Sequence, residues 1–354
     1  MLISPEKFNK KRTLILVSGL YQFPLIEPLI LLNQDVFFLI HSDKIDQQQF
    51  LRSSLSKLSN CYFEPSLNTI SHCLTSFKAI LSTACRDCTA HAYSCSIVQN
   101  ANNFGIPTFE LQHGLFQLGV SYSCVPDKTN FFPDSYLPKS VASKFLSFYS
   151  VNEEHIKIGY PPFNKSSPYP NTGEYFLILT NLNWKAYSEA DRLRFYDIIR
   201  NISKHLKNDL FIWKLHPAEI NWMVQRYGDK YLLESFPDNI VFHNIDPVLS
   251  FSSTSSLIRS SRLVITVPST VLLDCQLFNK RTHIFFSQST SALCNQIRSN
   301  LISPCQPNNI FFDNFNELIN SINLNSPLQT KYLYPFDNTA FRQALNFWLS
   351  SAIR

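Results

Sequence analysis

Short apolar runs alternate with amphipathic stretches along almost the whole chain. The first run, residues 12–18, is almost continuously apolar and contains β-branched side chains, which is typical of a parallel strand buried on both faces. Runs of the same kind predict further strands in both halves of the chain. These are residues 35–41, 61–64, 108–111, 134–137 and 156–158 in the first half, and 175–180, 210–215, 239–243, 262–267 and 283–286 in the second.

The stretches between these runs have apolar residues at helical spacing. They predict one helix between the strands at 134–137 and 156–158, and others over residues 23–33, 46–58, 68–85, 91–104, 189–206, 220–227, 247–260, 271–278, 315–322 and 340–352. A regular alternation of strand and helix is the pattern of a doubly wound fold with a parallel sheet. The predicted fold class is therefore α/β.

The chain is too long for one comfortable hydrophobic core. At 354 residues, two domains of ordinary size are expected. Residues 164–173 have the Ser, Pro, Asn and Gly content of a linker. We therefore predict an N-terminal domain over 1–163, a linker over 164–173, a C-terminal domain over 174–336 and a terminal helix within 337–354.

Composition restricts the partners and the compartment. The net charge of +5 is mild and its carriers are scattered, so nucleic acid is not an expected partner. Residues 13–32 are apolar, but Gly, Gln, Glu and two prolines interrupt them, so a soluble protein is expected rather than a membrane span. A peripheral association with the inner membrane stays compatible with the basic lead-in and the aromatic-rich first domain.

The cysteines point to a reducing compartment. They number nine and follow no framework spacing, which favours reduced thiols and a cytoplasmic protein. Cys85, Cys88, His91 and Cys95 can be drawn as a zinc cluster. The chain has no second Cys-x-x-Cys motif, so buried or free thiols are the favoured interpretation.

The first candidate site is the polar tip of the strand predicted at 108–111. It consists of Gln112, His113 and Gly114, and open α/β sheets carry their chemistry at such carboxyl ends. The chain has only seven glycines, so Gly114 indicates a sharp turn or a close ligand. His113 is a candidate general base, and the alternative is a turn histidine bonded to backbone. Glu110 is the other candidate base, but alternation along a strand would point it away from His113.

The second candidate site is the tip of the strand predicted at 210–215. Lys214 and His216 offer a cation and an imidazole there, and Pro217 suits the first turn of a following helix. Such a tip can bind a phosphate through His216 and the helix amides. The alternative is a strand–helix corner at which His216 only packs or caps.

The third candidate site follows the strand predicted at 262–267. Ser269 and Thr270 occupy the position of a helix N-cap, and two hydroxyls at a helix start can bind an anion. Asp274 lies about one turn further on and could accept hydrogen bonds from a ribose, as acidic groups do in other nucleotide sites. The alternative is a plain N-cap with a polar helix face.

Several common motifs are absent from the sequence. It has no Gly-x-Gly-x-x-Gly, P-loop or Gly-x-Ser-x-Gly motif, which argues against dinucleotide oxidoreductases, P-loop NTPases and α/β-hydrolases. It has no Asp-x-Asp pair to hold a metal ion against a nucleotide diphosphate. No cofactor and no metal are expected, and helix ends with His and Lys would neutralise phosphate charge.

In order and spacing, the second and third sites resemble motifs of the GT-B glycosyltransferases that build bacterial surface polysaccharides. His216 and Pro217 match the His-Pro motif of bacterial sialyltransferases, and Ser269 and Thr270 match their Ser/Thr motif. The resemblance implies that both motifs bind the cytidine monophosphate part of the donor. Kdo transferases of capsule synthesis are similar in layout.

The first site resembles a different branch of these proteins. His113 and Gly114 match the His-Gly tip of teichoic-acid glycerophosphotransferases, whose histidine is taken as catalytic. Sialyltransferases carry an acidic-acidic-Gly motif where this chain has Gln112, His113 and Gly114. This departure leaves the sugar open and moves the role of base to His113.

The resemblance implies a fold of two Rossmann-like domains facing a cleft. The function it implies is an inverting, metal-independent transfer of a sugar from a nucleotide-activated donor, with CMP-sugars favoured. His113 would accept a proton from the acceptor, which would be a surface polysaccharide, such as a capsule or lipopolysaccharide, or a lipid-linked glycan. The alternatives are a CDP-polyol phosphotransferase of teichoic-acid type, a nucleotide-sugar epimerase and a non-catalytic glycan-binding scaffold. The donor-binding residues would be Lys214, His216, Pro217, Ser269, Thr270 and Asp274.

Overall fold

The protein contains two compact units, each built around one parallel β-sheet. The computed structural model describes residues 12–17, 25–26, 36–40, 61–63, 66–85, 91–112, 140–147, 155–160, 173–182, 187–228, 234–243, 253–291, 294 and 310–322. The first unit holds every described residue up to 160, and the second holds every described residue from 173 onward. Apart from Gly173, the predicted linker lies outside the described residues, as does the terminal helix, so the domain boundaries stay predictions.

The sheet of the first unit has seven parallel strands in the order β3-β2-β1-β4-β5-β6-β7. All five residues of β1 are buried, as its apolar run predicts. The strand order reverses between β1 and β4, which is the arrangement of a Rossmann-like sheet. The strands are β1 Thr13–Val17, β2 Val36–Ile40, β3 Cys61–Phe63, β4 Ala79–Ser82, β5 Thr108–Leu111, β6 Lys144–Ser147 and β7 His155–Lys157.

Two helices of the first unit are described, α1 Leu67–Cys73 and α2 Ala92–Asn103. A glycine ends α2 and turns the chain into β5. The N–H groups of Gly105 and Ile106 donate at 2.9 Å to the carbonyls of Asn102 and Ala101, which is the Schellman pattern. Gly105 has a φ of 68°, a left-handed conformation that favours glycine. Gly105 therefore begins the turn that leads from α2 into β5.

The long helix predicted over residues 68–85 is wrong in its second half. The α-helix ends at Cys73, a 3₁₀ turn covers Leu74–Ser76, and Ala79–Ser82 forms β4. This strand lies in the middle of the sheet, between β1 and β5, and all four of its residues are fully buried. Its apolar residues fit helical spacing, but periodicity cannot separate a short strand buried on both faces from a buried helix.

The region between residues 137 and 156 contains a strand that the apolar pattern missed. Lys144–Ser147 forms β6 and pairs in parallel with β5 and β7. Its first and last residues are polar, so only two apolar residues remain to signal a strand. The strand predicted at 134–137 and the helix predicted at 46–58 lie outside the described residues.

The sheet of the second unit has six parallel strands in the order β10-β9-β8-β11-β12-β13. The order again reverses next to the first strand of the unit, between β8 and β11, as in a Rossmann-like sheet. The bounds of β8 and β9 are those that the apolar runs predict. The strands are β8 Tyr175–Thr180, β9 Leu210–Leu215, β10 Ile240–Phe242, β11 Ser261–Thr266, β12 Thr282–Phe285 and β13 Phe311–Phe312.

The helices of the second unit follow the predicted order. The first of them begins with a capping box, in which the Ser188 hydroxyl accepts the Asp191 N–H at 3.1 Å and the Asp191 carboxylate accepts the Ser188 N–H at 3.0 Å. Within the described residues, no helix is both long enough and apolar enough to cross a membrane. The helices are α3 Glu189–His205, α4 Pro217–Tyr227, α5 Thr254–Ser260, α6 Val271–Leu277 and α7 Phe315–Ile322.

Gly173 is fixed against the second sheet. A Cβ atom at this position would lie 2.0 Å from the Ser260 carbonyl oxygen, just before β11, so the backbones approach too closely for any other residue. The last residue of the predicted linker is therefore packed against the second unit.

Aromatic side chains fill the core of the second unit around Trp213. Its ring centroid lies 5.2 Å from Phe236, 5.4 Å from Phe242 and 5.8 Å from Phe195. Its indole N–H donates to the Thr180 hydroxyl at 2.9 Å. This hydrogen bond joins the aromatic core to the carboxyl end of β8, where the predicted donor-binding residues of this unit lie.

Candidate functional site

The second and third candidate sites lie on either side of β8, at the carboxyl edge of the second sheet. The His216 N–H donates to the Thr180 carbonyl at 3.0 Å, and the Thr266 hydroxyl donates to the Leu179 carbonyl at 2.9 Å. The tips of β9 and β11 are thus both held against the tip of β8. Since adjacent strands lie about 4.8 Å apart, the two tips are separated by about 10 Å. Ligands of open α/β sheets bind where the strand order reverses, which here is between β8 and β11.

His216 lies directly before α4, with an exposed side chain. Its carbonyl accepts the N–H groups of Glu219 at 2.8 Å and Ile220 at 3.2 Å, and Pro217 is the first helical residue. The helix therefore begins earlier than the predicted Ile220, because proline fits a first turn in which its missing N–H needs no partner. The imidazole stands at the positive end of an 11-residue helix, where an anion is favoured.

The segment after β11 departs from the prediction in one respect. The Ser269 and Thr270 carbonyls accept the N–H groups of Leu272 and Leu273 at 3.2 and 3.0 Å, so α6 begins where predicted. Thr270 has helical φ and ψ angles of −60° and −23°, and its side chain makes no capping hydrogen bond to the described helix. A capping side chain requires extended backbone at its own residue. Thr270 therefore occupies the N-cap position, as predicted, but without the side-chain hydrogen bond of a plain N-cap. Both Ser269 and Thr270 are half-buried at this edge.

Lys214 and Asp274 lie further from the tips. Lys214 is half-buried within β9, beside Leu179 of β8, and burial lowers the pKa of its ammonium group. Lys214 is therefore a residue of the strand itself and lies before the tip of β9. Asp274 is half-buried in the first turn of α6. Lys214 therefore lies in the strand that leads to His216, and Asp274 lies in the helix that follows Thr270.

Glu219 is a candidate that the sequence analysis did not select. It lies in the first turn of α4 and is fully buried. Its pKa is raised to about 7, mainly because burial disfavours the charged form, although the Thr180 hydroxyl and the backbone of Leu182 and His216 lower it in part. Among the described residues, neither carboxylate oxygen has a partner in standard hydrogen-bond geometry. A Glu two residues after Pro217 resembles a capping box, and that signal does not reveal burial.

Two further buried polar groups surround the end of β8. Neither the Tyr187 hydroxyl nor the Asn181 side-chain oxygen has a hydrogen-bond partner in the part of the chain that the structure describes. Burial raises the pKa of Tyr187 well above its usual range, and the neighbouring Cys294, Glu219 and Asp191 add to the shift. Unpaired buried polar groups are rare, and their concentration beside the switch point makes this edge a candidate functional site.

The buried carboxyl of Glu219 makes a pH-dependent contribution to stability. Its folded-state pKa of about 7 lies above the usual 4.5, so the folded state binds the extra proton between these values and loses stability as the pH rises through them. At 1.36 kcal/mol per pKa unit the loss is about 3 kcal/mol above pH 7. Urea unfolding should therefore show Glu219→Gln gaining stability relative to wild type between pH 4.5 and 7.5. A difference independent of pH would contradict the raised pKa.

The first candidate site is described only as far as Gln112, since His113 and Gly114 lie outside the described residues. Gln112 is buried, and its N–H donates to the Leu146 carbonyl at 2.9 Å, so the pairing with β6 continues past the end of β5. Glu110 is fully buried and accepts a hydrogen bond from the Cys85 thiol at 3.5 Å. Glu110 is therefore enclosed in the sheet, and the choice between Glu110 and His113 as general base stays a prediction.

Cys85 is buried beside Glu110. Burial and the neighbouring carboxyl raise the pKa of its thiol, which favours the protonated form. Among the described residues, no group of three or more His, Cys, Asp or Glu side chains is arranged so that it could hold a metal ion. Cys88, the other half of the Cys-x-x-Cys motif, lies outside them.

Comparison with known proteins gives structural neighbours but no sequence relatives. No protein-family model and no curated protein matches the chain. UDP-GlcNAc 2-epimerase from Methanocaldococcus jannaschii, in complex with UDP-GlcNAc and UDP, aligns over 95% of this chain and 99% of its own, with a TM-score of 0.57 and 11% identity. The same enzyme from Rickettsia bellii aligns over 96% of both chains, with a TM-score of 0.52 and 12% identity.

A second kind of protein has the same arrangement of elements. A structure of the wall teichoic acid polymerase TagF with CDPG aligns over 90% of this chain and 80% of its own, with a TM-score of 0.50 and 13% identity. These neighbours share the GT-B fold, and the two sheets described above each have its Rossmann-like strand order. The chain therefore has a GT-B-like fold with two Rossmann-like α/β domains, and the predicted fold class is confirmed.

Proposed function

We propose that this chain is a glycosyltransferase that moves a sugar from a nucleotide-activated donor, with CMP-sugars favoured, to a surface polysaccharide or a lipid-linked glycan. The observation that carries the proposal is the placement of His216, Ser269 and Thr270 at the carboxyl edge of one sheet, on the two strands that flank β8. The reaction is inverting and needs no metal. We place it in the cytoplasm, with peripheral contact to the inner membrane where the acceptor is lipid-linked.

The donor end of the reaction belongs to the second domain. When the bond between sugar and phosphate breaks, negative charge develops on the phosphate. The His216 imidazole at the start of α4 and the Ser269 and Thr270 hydroxyls can stabilise that charge, because they are fixed on the sheet before the reaction begins. Lys214 adds positive charge from β9, and Asp274 accepts hydrogen bonds from the ribose.

The acceptor end of the reaction is assigned to His113, which follows Gln112 and precedes Gly114 at the end of β5. As general base, its imidazole accepts the proton of the acceptor hydroxyl while that oxygen attacks the anomeric carbon and the phosphate leaves from the other face. This single displacement inverts the configuration at the anomeric carbon. The ordinary pKa of a histidine, about 6.5, suits a base that works near neutral pH.

Two other functions have specific support. The UDP-GlcNAc 2-epimerase with a TM-score of 0.57 supports a nucleotide-sugar epimerase. The TagF structure with CDPG, together with the match of His113 and Gly114 to a teichoic-acid His-Gly tip, supports a CDP-polyol phosphotransferase. An epimerase converts its nucleotide-sugar without an acceptor, and a phosphotransferase leaves a phosphate in its product, so the products separate these functions from sugar transfer.

The donor site is tested by calorimetry with CMP, CDP, UDP and GDP. We expect CMP or CDP to bind, and His216→Ala to weaken that binding about 10- to 100-fold, since a hydrogen bond to a charged group contributes about 1.5–3 kcal/mol. His205→Ala, which removes an exposed histidine from the last turn of α3, is the matched control and should bind normally. Equal affinity in both variants would remove His216 from the donor site. Failure of wild type to bind any of the four nucleotides would favour a non-catalytic scaffold.

A further inference from the structure

The buried carboxyl of Glu219 lies directly behind the corner that presents His216. The Glu219 N–H donates to the His216 carbonyl at 2.8 Å, and the His216 N–H donates to the Thr180 carbonyl at 3.0 Å. The Thr180 hydroxyl, which accepts the indole N–H of Trp213 at 2.9 Å, faces the Glu219 carboxyl from β8. A titratable group is thus enclosed beside the tips of β8 and β9, at the corner that presents His216.

A helix-capping role alone does not explain an ionisable group at this position. A Glu at the third helical position can accept the N–H of the residue before the helix, and the His216 N–H, which donates to the Thr180 carbonyl, also helps to lower the pKa of Glu219. Glutamine would fill the same volume and could make the same contact without a buried ionisable group. An acid that is fully buried beside an anion-binding corner therefore indicates a role for its proton.

The groups that favour an ionised Glu219 are the Thr180 hydroxyl, the backbone N–H groups of Leu182 and His216, and one cation, Arg192. Arg192 of α3 is the nearby cation, but its guanidinium donates to the Leu182 carbonyl at 2.6 Å and lies 3.6 Å from Glu189. The other titratable side chains near Glu219 are acidic or neutral at neutral pH. The titratable and charged groups around Glu219 are Tyr187, Asp191, Arg192, His216 and Cys294.

We propose that Glu219 is a further functional residue of the donor site, whose protonation sets the affinity of the His216 corner for a phosphate. The neutral carboxyl leaves the corner free to hold the anion. The ionised carboxylate places a negative charge behind the His216 corner. This charge repels the phosphate of the ligand, and it also makes His216 hold its proton more tightly. Repulsion dominates, because the phosphate carries its full charge into the site whereas the exposed imidazole is screened by solvent.

Burial supports this account by raising the pKa of Glu219 to about 7, so that the proton is lost across the neutral range. The identity of the anion rests on the proposed function. The coupling between Glu219 and His216 does not, because both groups belong to the same corner whether or not a nucleotide is the ligand.

The coupling is tested without any ligand. The full chain is labelled at its histidine rings, the His216 signal is assigned by its loss in His216→Gln, and its chemical shift is followed from pH 5 to 9. We expect two steps in wild type, one of them near pH 7, and in Glu219→Gln a single step with a lower midpoint. Glu174→Gln, which removes a carboxylate at the opposite end of β8, should titrate as wild type does. Identical curves for wild type and Glu219→Gln would overturn the inference.

The effect on affinity is measured with CMP as the probe, at pH 6 and pH 8. The loss of affinity between these values should be roughly fivefold larger in wild type than in Glu219→Gln, the effect of one unit charge near a partly buried anion. The phosphate titrates in both proteins, so its contribution cancels in this comparison, and the ligand-free curves give the difference that comes from His216. Equal losses would overturn the inference and leave the donor site standing. A two-step titration without any CMP binding would support the coupling and reject the nucleotide.

Discussion

Replacing His113 with Asn is expected to lower the rate of sugar transfer about 10²- to 10⁴-fold at neutral pH, the contribution of one well-placed general base. Asparagine has a similar polar side chain but cannot accept the proton of the acceptor hydroxyl. At saturating donor, the remaining rate should lose the inflection near pH 6.5 that a histidine base gives to the pH dependence of kcat. Donor affinity should stay unchanged, because the donor phosphate is assigned to the second domain.

Two further variants decide which residue is the base. His72→Asn changes an exposed histidine at the end of α1 and should keep the full rate. Glu110→Gln tests the other candidate, whose carboxyl is buried and bonded to the Cys85 thiol. We expect this variant to lose stability rather than the pH inflection. If Glu110→Gln removes the inflection and His113→Asn retains it, the base is Glu110 and the assignment of His113 is wrong.

Replacing Trp213 with Ala is expected to lower the free energy of unfolding of the second domain by about 3–5 kcal/mol, as large-to-small changes at buried aromatic positions do. The ring is fully buried and contacts Phe195, Phe236 and Phe242. Its loss also leaves the Thr180 hydroxyl without the indole donor, at the strand tip that holds His216. The variant should therefore also bind the donor nucleotide more weakly.

Urea unfolding with a matched control measures this effect. Trp222→Ala removes a partly buried ring that lies 4.7 Å beneath the Arg192 guanidinium, and its cost should be clearly smaller. Trp213→Phe should recover most of the stability but not the hydrogen bond to Thr180. Equal costs for Trp213→Ala and Trp222→Ala would show that the aromatic cluster does not centre on Trp213.

The strands that the sequence predicts best are those with the least ambiguous apolar runs. The run at 175–180 coincides with β8, because six consecutive apolar or β-branched residues are too few for a buried helix and suit a strand between two others. Residues 79–82 are equally apolar, but they follow a real helix without a Gly or Pro to mark its end, so the pattern extends that helix wrongly. Only pairing with β1 and β5 makes this segment a strand, and pairing is a tertiary property.

The candidate site is predictable to a similar degree. Polar residues after apolar runs identify His216, Ser269 and Thr270, because parallel strands present their carboxyl ends at one edge. The order β9-β8-β11, which places these residues on either side of one strand, follows from the winding of the chain and is not visible in local sequence. Local sequence does not reveal Glu219 for the same reason, since a Glu in a first helical turn is usually exposed and its burial beside Thr180 is a tertiary property.

The central claim is the transfer of a sugar from a nucleotide-activated donor, and a donor screen read by product mass spectrometry tests it most directly. The protein is incubated with CMP-, CDP-, UDP- and GDP-activated donors in the presence and absence of glycan acceptors. The account predicts that a CMP-sugar is consumed only with an acceptor, that the acceptor gains the mass of one sugar and no phosphate, and that His113→Asn and His216→Ala both suppress the product. Conversion of a nucleotide-sugar to its epimer without an acceptor, or transfer of a phosphate-containing unit, would contradict it.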